Sequence, residues 1–193
     1  DQAGLGGQAE IRFSDYRDVS EAGFDAISSI GLTEHIGRDN YPSYFGFLYG
    51  KLRPEGRMLN HTITRPHDQW VTHFRKSFIN RYVFPDGELS GPSQVMTAMN
   101  SAGFEIRHEE NLREHYALTL KHWCENLEDH WDEAVAEAGL GTARVWRLYM
   151  AASRLGFDIN MIQLHQMLGV KLGPGGTSGM PLRPDFSTQL AHA

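Results

Sequence analysis

Residues 24–64 carry a strand, helix and strand pattern that strongly limits the folds open to this chain. Residues 24–31 form a short, nearly continuous apolar run, which is typical of a strand covered on both faces in a parallel sheet. The turn Pro54-Glu55-Gly56 ends the following helix, and residues 57–64 read as the second strand. The helix itself is predicted by three- and four-residue spacing of Tyr41, Phe45, Leu48, Tyr49 and Leu52. Because these elements follow one another within about forty residues, we predict a βαβ unit, a parallel sheet and a right-handed crossover.

Further strand and helix patterns flank this unit. Residues 9–16 alternate apolar and polar side chains, which predicts a half-buried strand followed by a loop. The spacing of Trp70, Phe74 and Phe78 predicts a helix with one aromatic face. Residues 91–102 are expected to form another helix that ends at Gly103, and residues 104–107 a short strand.

The C-terminal third is predicted to hold two helices, a strand and a tail. A long amphipathic helix ends at Gly139, and Thr142 can cap a second helix that closes at Gly156. Residues 159–170 fit a strand or a helix by periodicity, and we favour a strand. Because the chain from Gly173 onward lacks core-forming residues, we predict one domain over residues 1–172 and a flexible tail over residues 173–193. The long helix is marked by Leu118, Trp123, Leu127, Trp131 and Val135.

Composition excludes several classes of protein. A length of 193 residues fits one domain, and no apolar run approaches the ~20 residues needed to span a bilayer. Eighteen Lys and Arg against 24 Asp and Glu give a net charge of −6, so we expect no nucleic-acid partner. The single cysteine, Cys124, cannot build a disulfide framework or a cysteine zinc site and fits a reducing cytoplasm. The N-terminus has neither a signal peptide nor an initiator methionine, so we expect the chain to be cut from something longer.

Four polar residues follow predicted strands, where ligands bind in open α/β sheets. They are Asp15, Glu34, His61 and Tyr116. Each also has a structural explanation, since Glu34 could cap a helix, His61 could be a buried histidine bonded to backbone, and Tyr116 could simply begin a helix. From the residues alone, the chain is a parallel α/β domain with a possible acid and histidine site.

Five motifs in one order give a more specific indication. They run Gly31-Leu32-Thr33-Glu34-His35-Ile36-Gly37, Asn40-Tyr41-Pro42-Ser43-Tyr44-Phe45, His61-Thr62-Ile63-Thr64, Phe84-Pro85-Asp86-Gly87-Glu88-Leu89 and His115-Tyr116-Ala117-Leu118-Thr119-Leu120-Lys121-His122-Trp123. As a set they resemble the cyclopropane-fatty-acyl-phospholipid synthase family, which includes the mycolic acid cyclopropane synthases. The resemblance runs from about Glu10 to Lys171.

The resemblance implies an S-adenosylmethionine-dependent methyltransferase. The implied fold is the α/β class I methyltransferase sandwich of three layers, with a mostly parallel sheet and an antiparallel edge strand. The family's first strand and glycine-rich cofactor loop have no counterpart, since neither Gly4-Leu5-Gly6-Gly7 nor residues 173–176 follow a strand and open a helix. The family's N-terminal cysteine is also absent, and Cys124 does not replace it. The chain therefore looks like the C-terminal two-thirds of such an enzyme.

The same resemblance assigns roles to the candidate residues. Glu34, His61, Tyr116 and the backbone of Ile63 match the positions that hold a bound bicarbonate, the base that removes a proton during ring closure. Asp15 and Tyr16 match the positions that contact the adenine of S-adenosylmethionine, where an acid can accept from the amino group.

The implied substrate is an unsaturated phospholipid acyl chain at the membrane surface. The aromatic and cationic residues of one segment suit an acyl chain and an anionic head group, although a helix packed on the core would look the same. They are Trp70, Phe74, Arg75, Lys76, Phe78, Arg81 and Tyr82. We expect a cytoplasmic enzyme peripheral to the inner face of the membrane, and a homodimer is possible. A small-molecule methyltransferase and a non-catalytic lipid- or partner-binding module remain alternatives.

Overall fold

The computed structural model describes residue 4, residues 6–68 and residues 78–183. Its main elements, in chain order, are β1 Phe24–Ile30, α1 Tyr41–Lys51, β2 Leu52–Thr64, α2 Phe78–Tyr82, α3 Pro92–Ser101, β3 Glu105–Asn111, α4 Arg113–Asp129, α5 Trp131–Asp158 and β4 Gln163–Val170. The predicted βαβ unit is confirmed, because β1 and β2 pair in parallel and α1 connects them. Its boundary is corrected: α1 ends at Lys51, and residues 52–56, predicted as helix end and turn, belong to β2.

The four strands form one mixed sheet in the order β1-β2-β4-β3. β4 runs antiparallel to both β2 and β3. The predicted α/β class is confirmed, and so is the strand favoured for the region of β4. One detail is corrected: the antiparallel strand is not at the edge, because β4 returns between β2 and β3 and leaves β3 outermost.

Apolar side chains cover both faces of the sheet and produce three layers. On one face, α1 and α3 pack against Met58 of β2 and Met167 of β4. On the other face, α4 and α5 pack against Ile63 of β2 and Leu164 of β4. Neighbouring side chains of a strand alternate between faces, so positions an odd number of residues apart point to opposite layers.

Two sequence predictions fail in the structure. Residues 9–16 form no strand: Ile11 and Phe13 are 100% and 110% exposed, and a single 3₁₀ turn, Tyr16–Asp18, follows. Alternation alone does not hold a strand, because a strand needs a neighbour for its backbone hydrogen bonds. The long helix also ends earlier than Gly139, because the backbone leaves helical geometry at His130, with φ −115° and ψ 32°.

Other predictions are confirmed only in part or lie partly outside the described residues. Gly139 does interrupt the helical geometry, with φ 80° and ψ 151°, but α5 continues past it to Asp158. Of the helix predicted from Trp70, Phe74 and Phe78, Phe78 is described as the first residue of α2, and the other two residues lie outside the described residues. In the tail, residues 173–183 are described, and Arg57 of β2 donates a hydrogen bond to the Gly179 carbonyl at 3.2 Å. The predicted flexibility of the tail stays a prediction. No helix among the described residues is long and apolar enough to cross a membrane.

Candidate active site

Glu34 lies in the loop that follows β1 and is the central residue of the site. Its side chain is buried, with 6% of the residue exposed. Oε1 accepts a hydrogen bond from the backbone N–H of Ile63 at 2.7 Å, whereas Oε2 has no hydrogen-bond partner among the described residues. Glu34 therefore does not cap a helix; it joins the loop after β1 to the end of β2. A buried carboxylate oxygen without a partner is costly, which makes Oε2 an acceptor available to a ligand.

The loop that carries Glu34 is held from behind by a buried polar network. The Thr33 hydroxyl donates to the Thr62 hydroxyl at 2.8 Å, and the Tyr41 hydroxyl donates to the Thr33 carbonyl at 3.2 Å. Tyr41 also bonds to the hydroxyl of Ser90 at 3.1 Å. These bonds fix the backbone immediately before Glu34, so they restrict the direction of its side chain.

A second set of contacts joins this loop to the segment before α3. The backbone N–H of Glu88 donates to the Glu34 carbonyl at 2.7 Å. The Glu88 carboxylate accepts from the Arg38 backbone at 3.0 Å and from the Arg38 guanidinium at 2.9 Å. Sequence reasoning named the motif that contains Glu88 but gave that residue no role.

His61 lies near the end of β2, half-buried and directly between its cross-strand neighbours Ile30 and Gln166. Its Nδ1 contacts the side-chain nitrogen of Gln166 at 3.2 Å. Burial lowers the pKa of His61 below the ordinary histidine value, and the negative charge of Glu34 partly opposes this effect. The imidazole is therefore neutral at pH 7.

Tyr116 of α4 and Tyr149 of α5 lie within the electrostatic influence of Glu34. Tyr116 packs edge-on against Phe157, with the ring centroids 5.0 Å apart. Burial raises the pKa of both phenols, and the charge of Glu34 raises each further. Tyr116 was predicted; Tyr149 was read only as an apolar position of its helix, because no local pattern shows which face of α5 meets the site.

Asp15 and Tyr16, the predicted adenine contacts, lie before β1, where Asp15 caps the 3₁₀ turn that begins at Tyr16. Tyr16 packs edge-on against Tyr44 of α1, with the ring centroids 5.1 Å apart. The Asp15 carboxylate accepts from the backbone and guanidinium of Arg17 at 2.9 Å, which holds the pKa of Asp15 at about 2. Asp15 is therefore ionised and exposed, and its oxygens retain capacity to accept another hydrogen bond. Neither residue contacts the Glu34 side chain.

Comparison with known proteins agrees with the resemblance. The family model described as mycolic acid cyclopropane synthetase matches residues 1–167. Over 181 residues the chain is 60% identical to a protein named Probable fatty acid methyltransferase of Mycobacterium tuberculosis, covering 94% of this chain and 42% of that protein. Over 159 residues it is 33% identical to the cyclopropane-fatty-acyl-phospholipid synthase of Escherichia coli strain K12, covering 82% of this chain and 40% of that protein.

A solved structure shows the same architecture. The crystal structure of a mycolic acid cyclopropane synthase in complex with SAH and CTAB superposes with a TM-score of 0.70 and 27% identity, covering 78% of this chain and 56% of that chain. This agreement confirms the methyltransferase-like sandwich. The chain spans less than half the length of the two curated relatives.

Proposed function

Because this chain belongs to the mycolic acid cyclopropane synthetase family, we propose that the protein carrying it uses S-adenosylmethionine to methylate unsaturated fatty acyl chains of phospholipids. The reaction adds one carbon at the cis double bond. A probable fatty acid methyltransferase and a cyclopropane-fatty-acyl-phospholipid synthase among the relatives support this substrate class. SAH, the demethylated form of the cofactor, in the related crystal structure supports the methyl donor.

The observation that carries the proposal is the buried Glu34 carboxylate with one oxygen free. A partner-less acceptor in an aromatic surrounding is costly for the fold, so it is expected where a ligand or reacting group completes the hydrogen bond. His61 is neutral and Tyr116 and Tyr149 are protonated at pH 7, so the groups around Glu34 can donate to the same ligand.

S-adenosylmethionine, when bound, supplies a methyl group activated by its sulfonium. The chain's own residues then have two tasks. The first task is to exclude water and to stabilise positive charge on the acyl chain. The aromatic rings of Tyr116 and Tyr149 and the Glu34 carboxylate can stabilise that charge. The second is to remove a proton, which needs a base held at a fixed position.

We propose that Glu34, His61 and Tyr116 hold bicarbonate as that base. The residues fit this ion, because bicarbonate has one O–H to donate and several oxygens to accept. The free Oε2 of Glu34 would accept the donated hydrogen, while the phenol of Tyr116 and the ring N–H of His61 would donate to the oxygens. Ile63 contributes indirectly, because its N–H is already bonded to Glu34 Oε1.

Asp15 and Tyr16 would hold the adenine end of the cofactor. The ionised Asp15 carboxylate can accept from the adenine amino group in addition to Arg17. Tyr16 offers an aromatic ring beside it, fixed by its contacts with α1.

We further propose that the enzyme works from the cytoplasm at the inner face of the membrane, as a homodimer. Of the predicted lipid-facing residues, Phe78, Arg81 and Tyr82 are described: Arg81 and Tyr82 are exposed, whereas Phe78 is half-buried. The neighbouring Ile79 is exposed as well. The Arg81 guanidinium lies 5.2 Å from the centroid of the Tyr82 ring. An exposed apolar surface with a cation at its edge suits anionic phospholipids.

The test is mass spectrometry of the phospholipids of cells that express the full-length protein, with the Glu34→Gln variant as the inactive control. We expect acyl chains that have gained one carbon at the former double bond, and none in the control. Fragmentation of these chains separates a cyclopropane from a methyl branch. If the lipids are unchanged and a water-soluble compound is methylated, the protein is a small-molecule methyltransferase instead. Unchanged lipids with no consumption of S-adenosylmethionine would favour the binding module.

A further inference from the structure

Gln166 of β4 lies directly opposite His61 of β2 in the sheet register. Directly opposed residues of an antiparallel pair point to the same face, and both side chains lie on the face covered by α4 and α5. The Gln166 side-chain nitrogen is 3.2 Å from His61 Nδ1. The two residues lie 105 positions apart in the sequence, and only the antiparallel return of β4 brings them together.

From this contact we propose that Gln166 is a positioning residue that keeps the proton of His61 on Nε2. The inference rests on the proposed function, because it concerns how His61 meets the reacting groups. An amide nitrogen can only donate, so His61 Nδ1 must accept and cannot carry the proton. In a neutral imidazole the remaining nitrogen, Nε2, then carries it.

The position of the proton decides what the site can bind. His61 Nε2 makes no hydrogen bond within the part of the chain that the structure describes, and Glu34 Oε2 likewise lacks a partner there. With the proton on Nε2, the site offers a donor from His61 beside an acceptor from Glu34. With the proton on Nδ1, both groups would be acceptors and would together repel an oxygen ligand.

Among the described residues, four charged or titratable groups bear on this region. Glu34 lies in the loop after β1, and its charge acts on His61, on Tyr116 of α4 and on Tyr149 of α5. Glu110 of β3 is paired with Gln166. Only Glu34 acts on the charge of His61, and it opposes burial without offsetting it. Gln166 is uncharged, so it selects the nitrogen that carries the proton without favouring the imidazolium form.

The first variant is Gln166→Glu in the full-length protein, which nearly keeps the side-chain size. A carboxylate accepts from Nδ1–H, so it moves the proton to the wrong nitrogen, and its charge stabilises the imidazolium. We expect the turnover plateau to fall about 10-fold or more. The acidic limb of the pH dependence of turnover should shift to higher pH by about one unit or more, because His61 then protonates at higher pH. KM for S-adenosylmethionine should stay unchanged.

Two further variants distinguish an effect on the position of the His61 proton from an effect on the packing of the sheet. Gln166→Met removes the donor without adding charge, so turnover should fall less and the acid limb should stay in place. Gln163→Glu is the matched control, because it makes the same change three residues away on the opposite face, where Gln163 contacts His165. It should leave both the plateau and the acid limb unchanged. An equal shift of the limb in Gln163→Glu and Gln166→Glu would overturn the proposal.

A spectroscopic measurement tests the proton position independently of activity. In the full-length protein labelled with ¹⁵N-histidine, the His61 signals are identified by their loss in His61→Gln. We expect a protonated Nε2 in the wild type and a protonated Nδ1 or an imidazolium in Gln166→Glu. A proton on Nδ1 in the wild type would contradict the role of Gln166. Absent lipid methylation would refute only the proposed function, since the spectra report on Gln166 in either case.

Discussion

The two carboxylate oxygens of Glu34 have different surroundings. Oε1 is bonded to the Ile63 backbone, whereas Oε2 is buried without a partner among the described residues. A glutamine at this position can keep its carbonyl oxygen on Ile63, which leaves its NH₂ group where Oε2 was. The substitution therefore preserves the structural bond and reverses the hydrogen-bonding character of the free side.

We therefore expect Glu34→Gln in the full-length enzyme to reduce turnover by a factor on the order of 10² or more, as for loss of a positioned acid–base group. The melting temperature should change little, because the bond to Ile63 survives. Added bicarbonate should restore little activity, since the new NH₂ group cannot accept. Turnover and thermal unfolding are compared with Glu125→Gln, a change on the solvated side of α4 that should alter neither. Near-normal turnover of Glu34→Gln would remove Glu34 from the reaction.

At the scale of elements, the site depends on how the loop after β1 is attached to its neighbours. Arg38 and Glu88 form a partly buried ion pair between that loop and the segment before α3, with about a quarter of each side chain exposed. The Glu88 backbone also bonds to the Glu34 carbonyl, so the pair acts close to the candidate carboxylate. A shift of the loop by one ångström would weaken the bond from the Ile63 N–H to Glu34 Oε1 and misplace the free Oε2.

Glu88→Gln should reduce turnover by roughly 10-fold through this misplacement and lower the free energy of unfolding by about 1 kcal/mol. Arg38→Gln should have a similar effect on turnover. If both residues act through one contact, the double variant should lose no more turnover and stability than the more impaired single variant. Steady-state kinetics and urea unfolding of the three variants give the comparison. Additive losses would show that Arg38 and Glu88 act separately.

The elements also show what could be predicted from the sequence. β1, α1 and β2 were predicted because each carries its periodicity and its turn residues locally. Glu34 and His61 were candidates because each lies near the end of a predicted strand, and the family resemblance joined them into one site. Gln166 and Glu88 were missed, since their positions depend on the register of β4 and on a loop that packs from another part of the chain. The break at His130 carries no glycine or proline, so no local feature revealed it.

At the scale of the whole molecule, the described residues include the groups that we propose for proton removal and few groups for the cofactor. Glu34, His61 and Tyr116 come from the loop after β1, from β2 and from α4, and the charge of Glu34 acts on the pKa of the other two. The proposed cofactor contacts are Asp15 and Tyr16 alone, in an exposed turn before β1, and they address only the adenine. The sequence shows no glycine-rich loop placed between a strand and a helix to contact the rest of the cofactor.

The 193-residue chain alone should therefore bind S-adenosylmethionine with a Kd weaker than about 1 mM, because two side chains at one end of a ligand supply few of the contacts that micromolar affinity requires. Calorimetry of the isolated chain and of the full-length protein measures the difference. In the full-length protein, Asp15→Ala should weaken binding by about 10-fold, the loss of one hydrogen bond to a charged group. Asp18→Ala is the matched control in the same turn and should bind normally. Micromolar affinity of the isolated chain would mean that other residues within it hold the ribose and methionine parts of the cofactor.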